Sequence, residues 1–239
     1  MHVPPPSPPA SQRERIPACG GLRYSRGRLR RTVGAALLTA VLGGVASGTA
    51  AAYTATLNPA SPQTIYLQVG VGSFTADYIY GGQPGNNATV NTVSVSVPAA
   101  VLNNGTAQAM TTNSTATQSF WDGYTYCSVP AQLYIGGFFR TTGAATAAAV
   151  VTATVPTALT DAAGDKIPFS KIQWTSSGNG DSGAEPFPAG TFVNGGVQTV
   201  GSMASNTWNE SCWTFSYLNN TLPAAGTYTG VVLYTMSAP

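Results

Sequence analysis

Residues 208–217 read WNESCWTFSY and place Trp208, Trp213, Phe215, Tyr217 and Cys212 within ten positions of a chain otherwise rich in Ala, Thr and Gly. Successive side chains on a strand point to opposite faces. Trp213, Phe215 and Tyr217 therefore share one face, and Cys212, Thr214 and Ser216 the other. The segment FWDGYTYCSV at 120–129 has the same parity, with Tyr124 and Tyr126 facing away from Cys127. This pattern predicts a core strand with its rings pointing inward, where large aromatic side chains bury most area. It also predicts a Cys127–Cys212 bridge on a solvated face flanked by Thr125, Thr214 and Ser216. The competing reading turns the rings outward as a stacking platform for sugars and requires an internal bridge. Trp121 and Trp208 flank the cysteine segments near turns, beside Asp122 and Glu210, and these four residues are the candidate ligand contacts.

The period of two continues outward from this stretch. Ile65, Leu67, Val69 and Val71 alternate with Tyr66, Gln68 and Gly70, and Val93, Val95 and Val97 alternate with Ser94 and Ser96. Ala149, Val151, Ala153 and Val155 alternate with Val150, Thr152 and Thr154, and Tyr228, Val232, Tyr234 and Met236 stand among threonines. β-Branched and aromatic residues dominate these runs. Asn-Gly pairs at 104–105, 179–180 and 194–195 mark tight turns, because glycine reaches positive φ without steric cost. GGQPGNN (81–87) and DAAGDK (161–166) read as longer loops. TGAATAAAVVTATV (142–155) is Ala-rich, yet its Thr and Val content and its exit through Val155-Pro156 favour strand over helix. No amphipathic helix of three turns is legible after residue 53. Ten to thirteen strands are expected, as an all-β, antiparallel β-sandwich of immunoglobulin-like or jelly-roll-like kind with one disulfide. A single domain over 53–239 is expected, with a weak seam near 157–166.

Residues 1–52 read as a leader. Seven of the ten basic residues precede the apolar run VGAALLTAVLGGV (33–45), and small residues follow up to Ala52. Basic region, short apolar stretch and small-residue site in that order are a secretory signal, and thirteen apolar residues are too few to span a bilayer. Cleavage is expected after Ala52. Arg30-Arg31-Thr32-Val33-Gly34 loosely resembles a twin-arginine signal, so general secretion and twin-arginine export both stay open. The chain from Tyr53 onward keeps three bases (Arg140, Lys166, Lys171) against seven acids, a net charge of −4. That balance argues against a nucleic-acid partner and against a polybasic membrane patch, both of which need clustered Lys and Arg; no mature membrane anchor is expected. Cys19 leaves with the leader, so Cys127 and Cys212 form the one available pair, as suits an oxidising compartment. Closing so long a loop stabilises by about 4–5 kcal/mol in the chain-entropy description.

Catalytic chemistry has few supports. The one histidine, His2, lies in the leader, which excludes Ser-His-acid and Cys-His constellations and imidazole metal ligands from the exported part. Asp181 and Glu185, in GNGDSGAEP, offer an acid/base pair of the glycosidase kind or a weak calcium loop, beside the ordinary reading as a solvated Gly-rich turn. The expectation is no catalytic residue, no metal and no cofactor. Asn-x-Ser/Thr triplets occur at Asn87, Asn104, Asn113, Asn209 and Asn219, acceptors only in a source that glycosylates.

The closing segment LPAAGTYTGVVLYTMSAP (222–239) resembles the last strand of exported bacterial β-sandwich proteins, the pilus subunits and coat protein U-like proteins. It is also similar to WxL surface domains. IQWTSSGNG (172–180) would supply the Trp-x-Leu triplet at Trp174-Thr175-Ser176, with Ser in place of Leu, and Tyr234 stands where those domains often carry Trp. The likeness is close over 222–239 and loose over 167–239. It implies a bacterial, secreted or cell-surface β-sandwich that is structural or adhesive and without catalytic activity. Its implied partners are other copies of itself, other surface subunits, or a cell-wall or glycan polymer. Two alternatives remain: a carbohydrate or cell-wall binding module, and a secreted hydrolase using paired carboxylates.

Overall fold

A computed structural model describes residues 55–59, 61–75, 83–84, 89–142, 148–178 and 184–239. The expected leader (1–52), Asn87, the expected 179–180 turn and Asp181 lie outside the described residues. Sixteen strands occur among those described, above the ten to thirteen expected because many are two- or three-residue pairings. In chain order they are β1 (Ala55–Thr56), β2 (Thr64–Val69), β3 (Phe74–Thr75), β4 (Gln83–Pro84), β5 (Val93–Ser94), β6 (Gln108–Ala109), β7 (Thr111–Thr112), β8 (Leu133–Arg140), β9 (Ala149–Val155), β10 (Ala158–Thr160), β11 (Lys166–Pro168), β12 (Ile172–Ser177), β13 (Gly190–Thr191), β14 (Gly196–Met203), β15 (Thr207–Tyr217) and β16 (Leu233–Ser237). Two 3-10 turns, Ala99–Val101 and Phe169–Lys171, are the helical elements among the described residues.

β15, which carries the WNESCWTFSY stretch, is the hub. Its first half pairs with β8 and β1, and its second half with β12 and β6, all antiparallel. With β2 beyond β8 and β13 beyond β12 this makes a seven-stranded sheet. A second sheet, in the order β14-β9-β16, packs against its inner face. Trp213, Phe215 and Tyr217 meet Ala149, Val151, Ala153 and Val155 of β9 and Met236 of β16 in this inter-sheet core. The small Ala149 and Ala153 leave room for the facing rings, so the two layers interdigitate. Trp174 of β12 stacks into the same layer, 5.2 Å from Trp213 and 4.7 Å from Phe192 between ring centroids. The indole Nε1 atoms of Trp174 and Trp213 donate to the carbonyls of Pro188 and Phe187, so residues 184–189 close one end of the core. The rings are core, and the fold is all-β with antiparallel sheets, as expected.

The turns follow their chemistry. Gly105 and Gly195, second residues of two expected Asn-Gly turns, hold φ of 75° and 84°. Residues 157–166, the expected seam, belong to the β10–β11 hairpin, whose Asp161 Oδ1 accepts from the N–H groups of Ala163 and Asp165. Asn219 is fully buried with φ of 50°. Its Nδ2 donates to Val101 O, Asn104 Oδ1 and Thr106 O, and its Oδ1 accepts from Asn103 N–H, so one side chain organises the 101–106 loop. The described residues gather as one compact unit.

The alternation of β2 departs from expectation. Ile65, counted among its apolar inward set, is 45% exposed, while Tyr66 and Gln68 are buried. The reason lies on the other side of the large sheet, which is covered as well.

Candidate functional site

On the outer face of the seven-stranded sheet, strand parity brings together the even-numbered residues of β8 and β15. Trp208 sits opposite Phe138, which sits opposite Tyr66, a row across three strands. Their rings lie 5.6–6.0 Å apart. The next row runs from Glu210 through Gly136 to Gln68. Glycine is required there, because a Cβ at Gly136 would collide with the Tyr134 hydroxyl. That hydroxyl donates to Glu210 Oε2 at 2.9 Å, and Trp208 Nε1 donates to the same oxygen at 2.8 Å. Tyr66 OH donates to Gln68 Oε1, and Gln68 Nε2 donates to Gly70 O at 2.8 Å. Burial, and then the adjacent Glu210 carboxyl, hold the Tyr134 phenol well above its ordinary range.

Residues 114–128 form a strap across this face. The strap is a small hairpin closed by Ser119 N–H to Tyr124 O and by the Gln118–Thr125 bridge. Its tip is shaped by Ser119 Oγ, which accepts from Trp121 and Asp122 N–H, and by Asp122 Oδ1, which accepts from Tyr124 N–H. Phe120 and Tyr126 pack on Tyr134, Trp121 lies 6.4 Å from Trp208 in a stacked pair, and Cys127 bonds Cys212 at a Cα separation of 5.6 Å.

The four candidate contacts are thus largely gathered in one place. Trp208 and Glu210 form the floor, half-buried Trp121 lies over Trp208, and Asp122 sits exposed at the strap tip. Trp208 does not have the partial exposure expected of it: it is 3% exposed, because the strap and β1 cover the strand end where a turn alone was foreseen. The bridge also differs from expectation. It lies opposite the aromatic core face, as parity requires, yet both cysteines are buried with Ala116 and Tyr134 rather than solvated. Thr214 and Ser216, farther along the same face, are half-exposed, so the expected hydroxyl face survives beyond the strap. Tyr124, expected to point into the core, is 55% exposed at the hairpin tip.

Tyr66, Gln68 and Tyr134 belong to the cluster and escaped the sequence reading. The mid-strand Gly136-Gly137 pair was the available signal. Gly137 marks a close approach of β8 to the Tyr66 carbonyl, and Gly136 leaves the gap that the polar groups fill. An open depression of about 420 Å³ runs between Val71-Gly72 and strap residues 115–120 and Gly123. Elsewhere, Glu185 accepts from the buried Ser211 hydroxyl at 3.2 Å. Among the described residues no three His, Cys, Asp or Glu side chains gather as metal ligands, and no helix is long and apolar enough to cross a membrane. Comparison with family models, curated proteins and solved structures returns no match to this chain.

Proposed function

We propose that the chain is an exported, surface-associated β-sandwich with a structural or adhesive role and no catalytic activity. The observation that carries this reading is what the acids do. Glu210 anchors Trp208 and Tyr134, Glu185 holds Ser211, and Asp122 and Asp161 cap their own turns. Among the described residues, these four carboxyls are engaged by the fold and are not set facing one another across a cleft as an acid/base pair would be. The disulfide suits an oxidising, extracytoplasmic compartment. The three-stranded sheet adds an uncharged outer face, where Thr199, Thr152 and Thr235 line up across β14, β9 and β16. Such a face fits contact with another copy, with other surface subunits or with a polymer, the partners that the resemblance of residues 222–239 implies. The test is to export the full chain, ask whether it stays on the cell surface, and assay the purified protein for self-association and for release of sugar from polysaccharides. Retention or assembly without turnover is expected; sustained glycosidic cleavage would overturn the reading.

A glycan-binding module is the second reading, favoured by half-buried Trp121 beside the open depression. It requires Trp121→Ala to abolish retention on insoluble polysaccharide while leaving the fold unchanged.

A further inference from the structure

We propose that residues 114–128 are a detachable strap over part of the outer aromatic face, latched by the Cys127–Cys212 disulfide, so that the redox state of one bond decides whether the strap is fastened. Three observations converge on this. First, the inter-sheet core contains no residue between Met110 and Leu133, so the sandwich does not need the strap for its main hydrophobic layer. Second, among the described residues the backbone–backbone hydrogen bonds of 114–128 end on partners within 117–132; the strap closes on itself, with its base pinned by Thr112 N–H to Pro130 O at 2.8 Å. Third, among the described residues three ring pairs and the disulfide join it to the sheet, and an open depression runs along one flank beside Val71-Gly72. A loop with closed ends and its own hydrogen bonds opens as a unit at less cost than the sandwich beneath it.

Opening is a two-electron reduction by a dithiol. A reagent thiolate attacks the Cys127 sulfur and displaces Cys212 as thiolate, giving a mixed disulfide on the strap. The second reagent thiol then closes the reagent into a cyclic disulfide and releases Cys127; the reagent loses two electrons and two protons, which the two cysteines gain. With the strap lifted, Trp208 loses the stacked Trp121 ring and Tyr134 loses Phe120 and Tyr126, while Ala55 and Leu57 stay packed on the Tyr66-Phe138-Trp208 row. In a reducing compartment the strap stays unlatched, and oxidation after export fastens it.

The test is peptide-resolved hydrogen exchange on the full chain from Tyr53, oxidised and then treated with dithiothreitol, with thiols counted to confirm reduction. Exchange in 114–128 is expected to accelerate about tenfold or more on reduction, while β9, β12 and β14 keep their protection. Cys127→Ser supplies the unlatched chain directly should the buried bridge resist the reagent, and it must show the same pattern. Trp121→Ala with the bridge intact must leave 114–128 protected. The proposal fails if the unlatched strap stays protected, if reduction unfolds β9, β12 and β14 together with the strap, or if Trp121→Ala opens the strap as fully as reduction does.

Discussion

The two faces of β15 are sealed by different means. The inner face meets another sheet, its rings stack on small residues of β9, and its indoles find their acceptors at the end closed by residues 184–189. The outer face meets a strap, and its rings are interleaved with a carboxyl, an amide and phenols joined by hydrogen bonds. One strand therefore serves two cores. The half Trp213–Tyr217 belongs mainly to the inner one and the half Trp208–Cys212 mainly to the outer. The difference teaches that a sheet-covered face relies on shape, whereas a loop-covered face relies on satisfied polar pairs and a covalent tie.

Removing the indole at Trp213 should break the inner face most severely. Trp213→Ala opens a cavity in the inter-sheet layer and is expected to cost about 3–5 kcal/mol in denaturant melts. On the outer face, Glu210→Ala leaves the Trp208 indole and the Tyr134 phenol without their shared acceptor, about 1–3 kcal/mol for each group. Glu210→Gln, which keeps an acceptor, should recover part of that loss; equal loss in both variants would show that volume rather than hydrogen bonding matters there.

Alkali should separate the faces more finely. Tyr134 has its folded pKa raised, so its protonated form is favoured in the fold. Below about pH 10, the ordinary tyrosine value, both folded and unfolded states hold the proton and stability is flat. Above it the unfolded state loses the proton first, so stability falls as pH rises, by at most about 1.4 kcal/mol per pH unit for this residue. Tyr234, pushed up by burial in the inner core, acts in the same direction. Melts between pH 8 and 11 should show the decline, and Tyr134→Phe should reduce its slope. The smallest effect belongs to Thr214→Ala, on the half-exposed stretch beyond the strap, at well under about 1 kcal/mol. A large loss there would mean that the hydroxyl, with the Gln132 amide 3.3 Å away, carries more of the outer face than its exposure suggests.

The inner face was legible because its cover is periodic. Ala149, Val151, Ala153 and Val155 alternate on their own strand, and Trp213, Phe215 and Tyr217 on theirs, so period two names both sides of the contact. The cysteine pairing was legible from scarcity alone. The burial of Trp208, Tyr66 and the bridge was not, because their cover is a hairpin with no period, placed about 80 residues before β15 in the chain. Glu210 and Asp122 looked alike in sequence as acids beside tryptophans. The fold buries one under two donors and leaves the other at a turn, a distinction that local sequence does not contain.

Asn219 carries a consequence for how the protein is made. Its side chain stands in an Asn-Asn-Thr triplet, and all of that side chain is enclosed and bonded to the 101–106 loop. An oligosaccharide added to the amide nitrogen would remove one of its two hydrogens and demand space that the folded chain does not have. In a host that glycosylates during translocation, enzyme and fold therefore compete for one nitrogen atom. Molecules the enzyme reaches first never close that loop, whereas exposed Asn104 and Asn113 can be modified at leisure.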